Sequence, residues 1–225
     1  MAWSCDTSVR PERWTDPLAG GNCYVVAQDG AALVVDPCAA AGPLELLKRW
    51  GLTPELILLT HEHCDHTAGL EPMRARYPGA RVVCSAPCCA GIRDSGRNMS
   101  RRMEVYLTFA GKPGVRYPPF VCRSADETFE GEHELAWRGH TLRFVPLPGH
   151  TAGSVGIFLD GGVLFSGDYL LPGAAPVLRL PGGDEAAFEA VTRPRLAALP
   201  PGLWVCPGHG APFTLTEKEL SDRGL

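Results

Sequence analysis

The chain has 225 residues, 45% hydrophobic and 20% charged, an ordinary globular balance that suits one α/β domain over residues 1–225 better than two small ones. Its formal net charge of -4 supplies no basic field for nucleic acid or an anionic membrane, so neither is expected as a partner. No apolar run reaches the ~20 residues of a membrane helix, and the opening Met1-Ala2-Trp3-Ser4-Cys5-Asp6 lacks a basic segment leading into an apolar core; a cytoplasmic protein is expected.

Residues 22–27 and 31–36 are short β-rich runs separated by Gln28-Asp29-Gly30, which reads as a hairpin. A helix over residues 44–50 follows, with Leu44, Leu47 and Trp50 on one face and Gly51 as its stop. Residues 55–59 form a buried strand, 67–77 a helix and 81–84 a further strand, a rhythm that indicates a parallel sheet covered by helices. In the second half, strands are expected at 134–137, 141–146, 154–159 and 163–166, joined by Arg138-Gly139-His140 and Asp160-Gly161-Gly162. A helix over 185–198 and a last strand at 203–206 complete the pattern: two β-rich halves face to face with helices outside. The nine cysteines include no C-x-x-C pair and mostly adjoin apolar strand residues, so they read as small buried hydrophobes. Cys64 is the exception, a thiol placed where it could touch metal or substrate.

The densest chemistry lies in His61-Glu62-His63-Cys64-Asp65-His66, directly after the apolar run 56–60. Three imidazoles and a carboxylate within six residues suit zinc, and also iron or manganese, better than calcium or magnesium. On a helix the three histidines would point in different directions, so the run reads as a loop curling around a metal. Three later turns repeat the theme of an apolar strand ending in glycine beside a ligand: Gly149-His150, Gly167-Asp168 and Gly208-His209. Together they make seven candidate ligands, His61, His63, Asp65, His66, His150, Asp168 and His209. That is too many for one tetrahedral ion and enough for two divalent ions, most simply Zn2+, if Asp168 bridges them. Asp36 ends a strand beside the metal strand and reads either as a carboxylate orienting a histidine or as an ordinary turn residue before Pro37. His133 and His140 read as solvated surface residues.

In type and order, Thr60-His61-Glu62-His63-Cys64-Asp65-His66, His150, Asp168 and His209 resemble the signature of the metallo-β-lactamase-fold hydrolases, over about residues 22–212. The resemblance implies a four-layer αββα sandwich of two mixed sheets. It also implies His61, His63 and His150 at one ion, Asp65, His66 and His209 at the other, and Asp168 shared. Asp168 stands where true β-lactamases of the family usually carry Cys, which points toward the glyoxalase II-like branch, whose members cleave thioesters. Only the short stretch 211–225 follows His209, so the helical glutathione-binding domain of glyoxalase II proper is not expected. After the bridging position, residues 175–184 stand in place of a Gly-Arg-x-Asp segment, with Arg179 a further candidate for substrate binding.

The expected function is hydrolysis of a small-molecule thioester, ester or lactone by hydroxide generated on the two ions, with Asp65 and Asp168 as the catalytic proton carriers. Residues 91–122 carry six basic residues against two acidic ones, interleaved with aromatics. They read either as a lid whose Arg101 and Arg102 grip an anionic substrate, or as a solvated helix whose aromatics pack on the body or on a second subunit of a homodimer. Two other functions compete. One is a mononuclear iron persulfide dioxygenase using His61, His150 and Asp168 as a facial triad; the other is a metal-binding sensor without turnover.

Overall fold

The computed structural model describes residues 10–225; Cys5 and the opening residues lie outside them. Two six-stranded mixed sheets form the centre of the molecule. The first runs in chain order: β1 (Glu12–Thr15), β2 (Asn22–Gln28), β3 (Ala31–Val35), β4 (Thr53–Leu58), β5 (Arg81–Ser85) and β6 (Glu127–Phe129). β1, β2 and β3 are antiparallel, whereas β3, β4, β5 and β6 are parallel. Parallel neighbours require crossovers, supplied by α1 (Ala41–Trp50), α2 (Cys64–Thr67), α3 (Leu70–Arg76), α4 (Ala86–Ile92) and α5 (Met103–Phe109).

The second sheet has the spatial order β12-β11-β10-β9-β8-β7. Its strands are β7 (His133–Trp137), β8 (His140–Pro146), β9 (Val155–Leu159), β10 (Val163–Gly167), β11 (Trp204–Pro207) and β12 (Phe213–Thr214). Only β10 and β11 pair in parallel, and α6 (Glu185–Ala187) and α7 (Arg193–Ala197) cross between them; α8 (Glu217–Asp222) closes the described chain. The tight turns at Asp29-Gly30 and Arg138-Gly139 have positive φ at both central residues, the geometry that matches strand twist across a two-residue hairpin; Asp160-Gly161 shares it within a three-residue link.

Alternation along the strands produces the four layers. On β4, Leu56 and Leu58 face the second sheet and pack with Leu33, Val83, Phe144, Ile157 and Phe165. Ile57 and Leu59 face outward to Leu47, Leu70, Met73 and Ile92 of the covering helices. Leu164 and Val205 do the same for the second sheet, meeting Leu196, Leu203, Leu215 and Leu220. The chain thus adopts an αββα sandwich of two mixed sheets with outer helices. Each inner aliphatic side chain buried this way contributes about 1.5–3 kcal/mol.

Two expected helices are interrupted. Helical structure runs from Cys64 to Arg76, but Gly69 turns its N–H to the Pro37 carbonyl (2.7 Å) and divides α2 from α3. The helix expected over 185–198 widens to a π-turn at Phe188–Thr192 between α6 and α7. Pro194, at the start of α7, has no N–H to donate to the preceding turn. Among the described residues no helix is long and apolar enough to cross a membrane.

Candidate metal centre

All seven candidate ligands converge at one rim of the sandwich. β4 delivers His61 and His63 on extended backbone, so residues two apart present both rings to the same side. The chain then enters α2, whose first turn carries Asp65 and His66. The expectation of a loop holds only as far as His63: one extended segment and one helical turn share the six residues, which lets them serve two positions. β8 leads to His150, β10 to Asp168 and β11 to His209.

His63 Nδ1 lies 2.9 Å from His150 Nε2, and one nitrogen each of His61, His63 and His150 fall within 4.8 Å of one another. Asp65, His66 and His209 form a second such group. His209 Nε2 is 3.3 Å from Asp65 Oδ2. Asp168 lies between the groups, with Oδ1 3.3 Å from His66 Nε2 and Oδ2 3.5 Å from His150 Nε2 and 3.6 Å from His209 Nε2. Gly208 permits this closeness, because a Cβ there would stand 2.2 Å from Asp168 Oδ1.

The ring orientations are fixed from behind. Asp36 Oδ2 accepts from His66 Nδ1 (3.0 Å) and from the Thr60 hydroxyl (2.6 Å), while its Oδ1 accepts from the Thr60 N–H (2.8 Å). With its own proton given to Asp36, Thr60 Oγ1 is the acceptor for His61 Nδ1–H at 3.0 Å. His150 Nδ1–H donates to the Val177 carbonyl at 2.7 Å. In its neutral, metal-binding form each of these three rings is therefore left with an Nε2 lone pair on the side of the cluster.

Among the described residues, five buried side-chain nitrogen or oxygen atoms lack a partner, and four belong here: His61 Nε2, His63 Nε2, His66 Nε2 and Asp168 Oδ1. An unpaired buried acceptor costs about 1–3 kcal/mol, and a divalent cation is the partner that the lone pairs of His61 Nε2, His66 Nε2 and Asp168 Oδ1 fit; His63 presents Nδ1, rather than Nε2, toward His150. The donor set therefore matches a metal centre. Burial drives the imidazoles of His61, well below its usual value, and of His63, to about 3, away from the charged form. Burial opposes charge on His66 as well, but the Asp168 and Asp65 carboxylates hold its pKa well above normal. Asp65, despite burial, is kept at about 2 by His66 and His209.

Sequence reasoning passed over Glu62 and Thr151. Opposite in strand phase to His61 and His63, Glu62 turns into the body, and its Oε2 accepts from the Thr151 hydroxyl at 2.8 Å. It thereby ties the His61–His63 segment to the turn carrying His150. Burial raises its pKa, and Arg97 approaches at 3.9 Å. The alternation itself was the available signal, since a charged residue between two inward histidines must face the other way.

Several other expectations change. Cys64 turns away from the cluster, packs with Met103 and Leu107, and has its pKa raised by burial, so it is an inert core thiol. His133 and His140 are partly exposed, as surface residues, but not free: they bond Glu127 (3.0 Å) and Asp160 (2.6 Å) and stack on Phe129 and Trp137. Residues 91–122 lie against the metal turn, with the Cys64 N–H donated to the Asn98 carbonyl at 2.7 Å. Tyr117 and Phe120 pack there, whereas Tyr106 and Phe109 stay 50% and 88% exposed. Arg101 bonds Ser95 at 3.0 Å and Arg102 is exposed; Arg179 lines a surface cleft with Val177, whose carbonyl orients His150. A separate cavity of about 220 Å3 lies outside the second sheet against α7, and its walls hold none of the seven ligands.

A four-layer sandwich with a buried histidine and aspartate cluster at the strand ends defines a metallo-hydrolase fold and a site for divalent metal. The model of the Metallo-beta-lactamase superfamily matches residues 16–209, and the chain belongs to that superfamily. A Bacillus subtilis protein named "Probable metallo-hydrolase YqgX" is 31% identical over 204 residues, 88% of this chain and 89% of that one. Hydroxyacylglutathione hydrolase of Xanthomonas campestris is 31% identical over 186 residues, 82% of this chain; the match spans only 58% of the relative. Among solved structures, BLEG-1 B3 metallo-beta-lactamase superposes with a TM-score of 0.77 at 30% identity, covering 91% of this chain and 94% of the other. TTHA1623 in a di-iron-bound form gives 0.68 at 29%, covering 96% and 98%.

Proposed function

We propose that this chain is a dinuclear metal-dependent hydrolase of small-molecule thioesters or esters, with lactones as the next class. The observation that carries the reading is the convergence of two clusters of ligand side chains in which His61 and His66 leave a buried Nε2 unpartnered while their Nδ1 atoms are engaged. His61, His63 and His150 would hold one ion, Asp65, His66 and His209 the other, and Asp168 would be common to both. Zinc suits the donor set, and the di-iron form of TTHA1623 makes iron the alternative. Ions held there would supply hydroxide at neutral pH and polarise a carbonyl.

The remaining work falls to the chain's own atoms. His61, His63, His66 and His150 are at most 3% exposed, whereas the side chains of Asp65 and His209 are 19% and 26% exposed, so substrate enters beside the latter pair. Asp65 and Asp168 are acceptors at that opening, suited to take the proton released during attack and return it to the leaving group. Tyr106, half-exposed, has its pKa raised by partial burial and by the Asp65 and Asp168 charges. Arg101, Arg102 and Arg179 provide cationic anchors for an anionic substrate group.

The relative named hydroxyacylglutathione hydrolase supports a thioester, and because the chain spans only part of it, glutathione itself is not assumed. Similarity to BLEG-1 favours a second reading, lactam hydrolysis. The test is to count metal in protein purified without added metal, then to assay thioesters, esters, lactones and lactams while following oxygen. Two ions per chain and thioester or ester turnover that chelation abolishes are expected. Turnover of lactams alone would transfer the assignment to the second reading. A single iron with oxygen uptake would replace hydrolysis with dioxygenation.

A further inference from the structure

We propose that Asn22 is a positioning residue that holds the His209 turn, and through it the second metal position, independently of the first. The inference rests on reading Asp65, His66 and His209 as ligands of one ion. Asn22 opens β2, has no exposed surface, and carries no group expected to bind metal. Its backbone N–H donates to the Gly208 carbonyl at 2.7 Å. Its side-chain Nδ2 donates to the Pro207 carbonyl at 2.9 Å and to the Gly210 carbonyl at 2.8 Å. One residue thus bonds the chain immediately before His209 and immediately after it.

A carboxamide is the group this arrangement requires. Its two N–H bonds diverge from one nitrogen to reach two carbonyls, while Oδ1 accepts from the Thr15 hydroxyl at 2.7 Å and sets which end faces the turn. Tyr24 adds a bond from its hydroxyl to the Pro207 carbonyl at 2.7 Å. The adjacent Gly21 pairs with His209 as an isolated bridge, and a Cβ on Gly21 would stand 2.2 Å from the Asp65 carbonyl oxygen. The β1–β2 connection is therefore inserted between two ligands of the second position.

His209 depends on this support more than the other histidines do. It follows the end of β11 in a turn where its side chain is 26% exposed, so apart from the single bridge to Gly21 neither sheet pairing nor deep packing holds it. The first position has different supports: Thr60 behind His61, Glu62 and Thr151 joining the two ligand turns, and Val177 behind His150. None of these bonds involves Asn22. Losing the carboxamide should therefore loosen one position and spare the other.

The experiment titrates Zn2+ into metal-free wild type, Asn22→Asp, Asn22→Ala and Tyr24→Phe against a chromophoric chelator, resolving two dissociation constants. Spectra of Co2+-loaded protein and the unfolding midpoint are recorded alongside. In the Asn22 variants the weaker constant, assigned to the more exposed second position, should rise about 10- to 100-fold while the tighter one stays at its wild-type value. Tyr24→Phe, which removes one hydroxyl and keeps the ring, should raise the weaker constant about fivefold, and it carries the test if the Asn22 variants do not fold. Unchanged constants, or equal weakening of both, would overturn the role of Asn22. Wild type that binds only one ion would overturn the two-ion reading and this inference with it, whereas two ions in wild type with unaffected variants would overturn the inference alone.

Discussion

Replacing Asp36 by Asn changes one oxygen to an NH2 group in a place where every neighbour requires an acceptor. In wild type, Oδ1 accepts from the Thr60 N–H, and Oδ2 accepts from the Thr60 hydroxyl and from His66 Nδ1. If the amide keeps its oxygen on the Thr60 N–H, its NH2 faces His66 Nδ1. That nitrogen must then become the acceptor, and the ring proton moves to Nε2, the atom aimed at the second metal position. If the amide flips, His66 is preserved but the buried Thr60 N–H meets a donor instead. The first orientation forfeits a charge-assisted hydrogen bond of about 1.5–3 kcal/mol, which at 1.4 kcal/mol per tenfold corresponds to roughly a 10- to 100-fold loss of metal affinity. The second leaves a buried amide unsatisfied and lowers folding stability by about 1–3 kcal/mol. Competition titration with zinc and urea denaturation of the metal-free protein measure the two outcomes, and 15N NMR of the histidine side chains identifies the tautomer. Unchanged affinity together with unchanged stability would refute the account of how Asp36 acts.

Thr151→Val removes the hydroxyl that donates to buried Glu62, and should cost about 1–3 kcal/mol in urea unfolding while weakening the first metal position rather than the second. Arg101→Ala combined with Arg102→Ala should raise KM for anionic substrates and leave neutral ones unaffected; equal KM values for both would remove the anchoring role. Glu71 gives a pH test: although partial burial works against it, the Arg123 N–H and the Arg123 and Arg74 guanidiniums hold its carboxyl below its ordinary value. A folded pKa below the unfolded one means the contribution is complete above about pH 4.3 and is lost as pH falls through the folded value. Because the side chain is partly exposed, Glu71→Gln should destabilise by only about 1 kcal/mol at pH 7, and the gap to wild type should close at low pH. A gap that is constant with pH would exclude the ionic contribution.

Legibility varied with how local the cause was. The strands were readable because Leu56-Ile57-Leu58-Leu59 and Val163-Leu164-Phe165 are apolar on both faces, as strands buried between a second sheet and a helix layer must be. His61, His63, Asp65 and His66 were readable because four metal-capable groups in six residues have few other uses. Cys64 stayed open because its side-chain direction is set by a helix beginning at that residue, and by Met103 and Leu107 arriving from a distant segment. The partners of His133 and His140, Glu127 and Asp160, were not legible because they are brought close only by strand pairing and turns. Asn22 carried no signal at all, since its acceptors lie some 185 positions away.

By itself the sequence determined which chemistry this protein can hold: imidazole and carboxylate donors are side-chain properties, and their placement at the ends of apolar runs puts them at strand ends. Only the tertiary structure decided which lone pairs face one another, because ring orientation depends on Asp36, Thr60 and Val177, contacts made between segments rather than along one. It likewise decided that one metal position is enclosed and the other half-open. That difference arises from where the His209 turn meets β2, a meeting that exists only once both sheets have closed on each other.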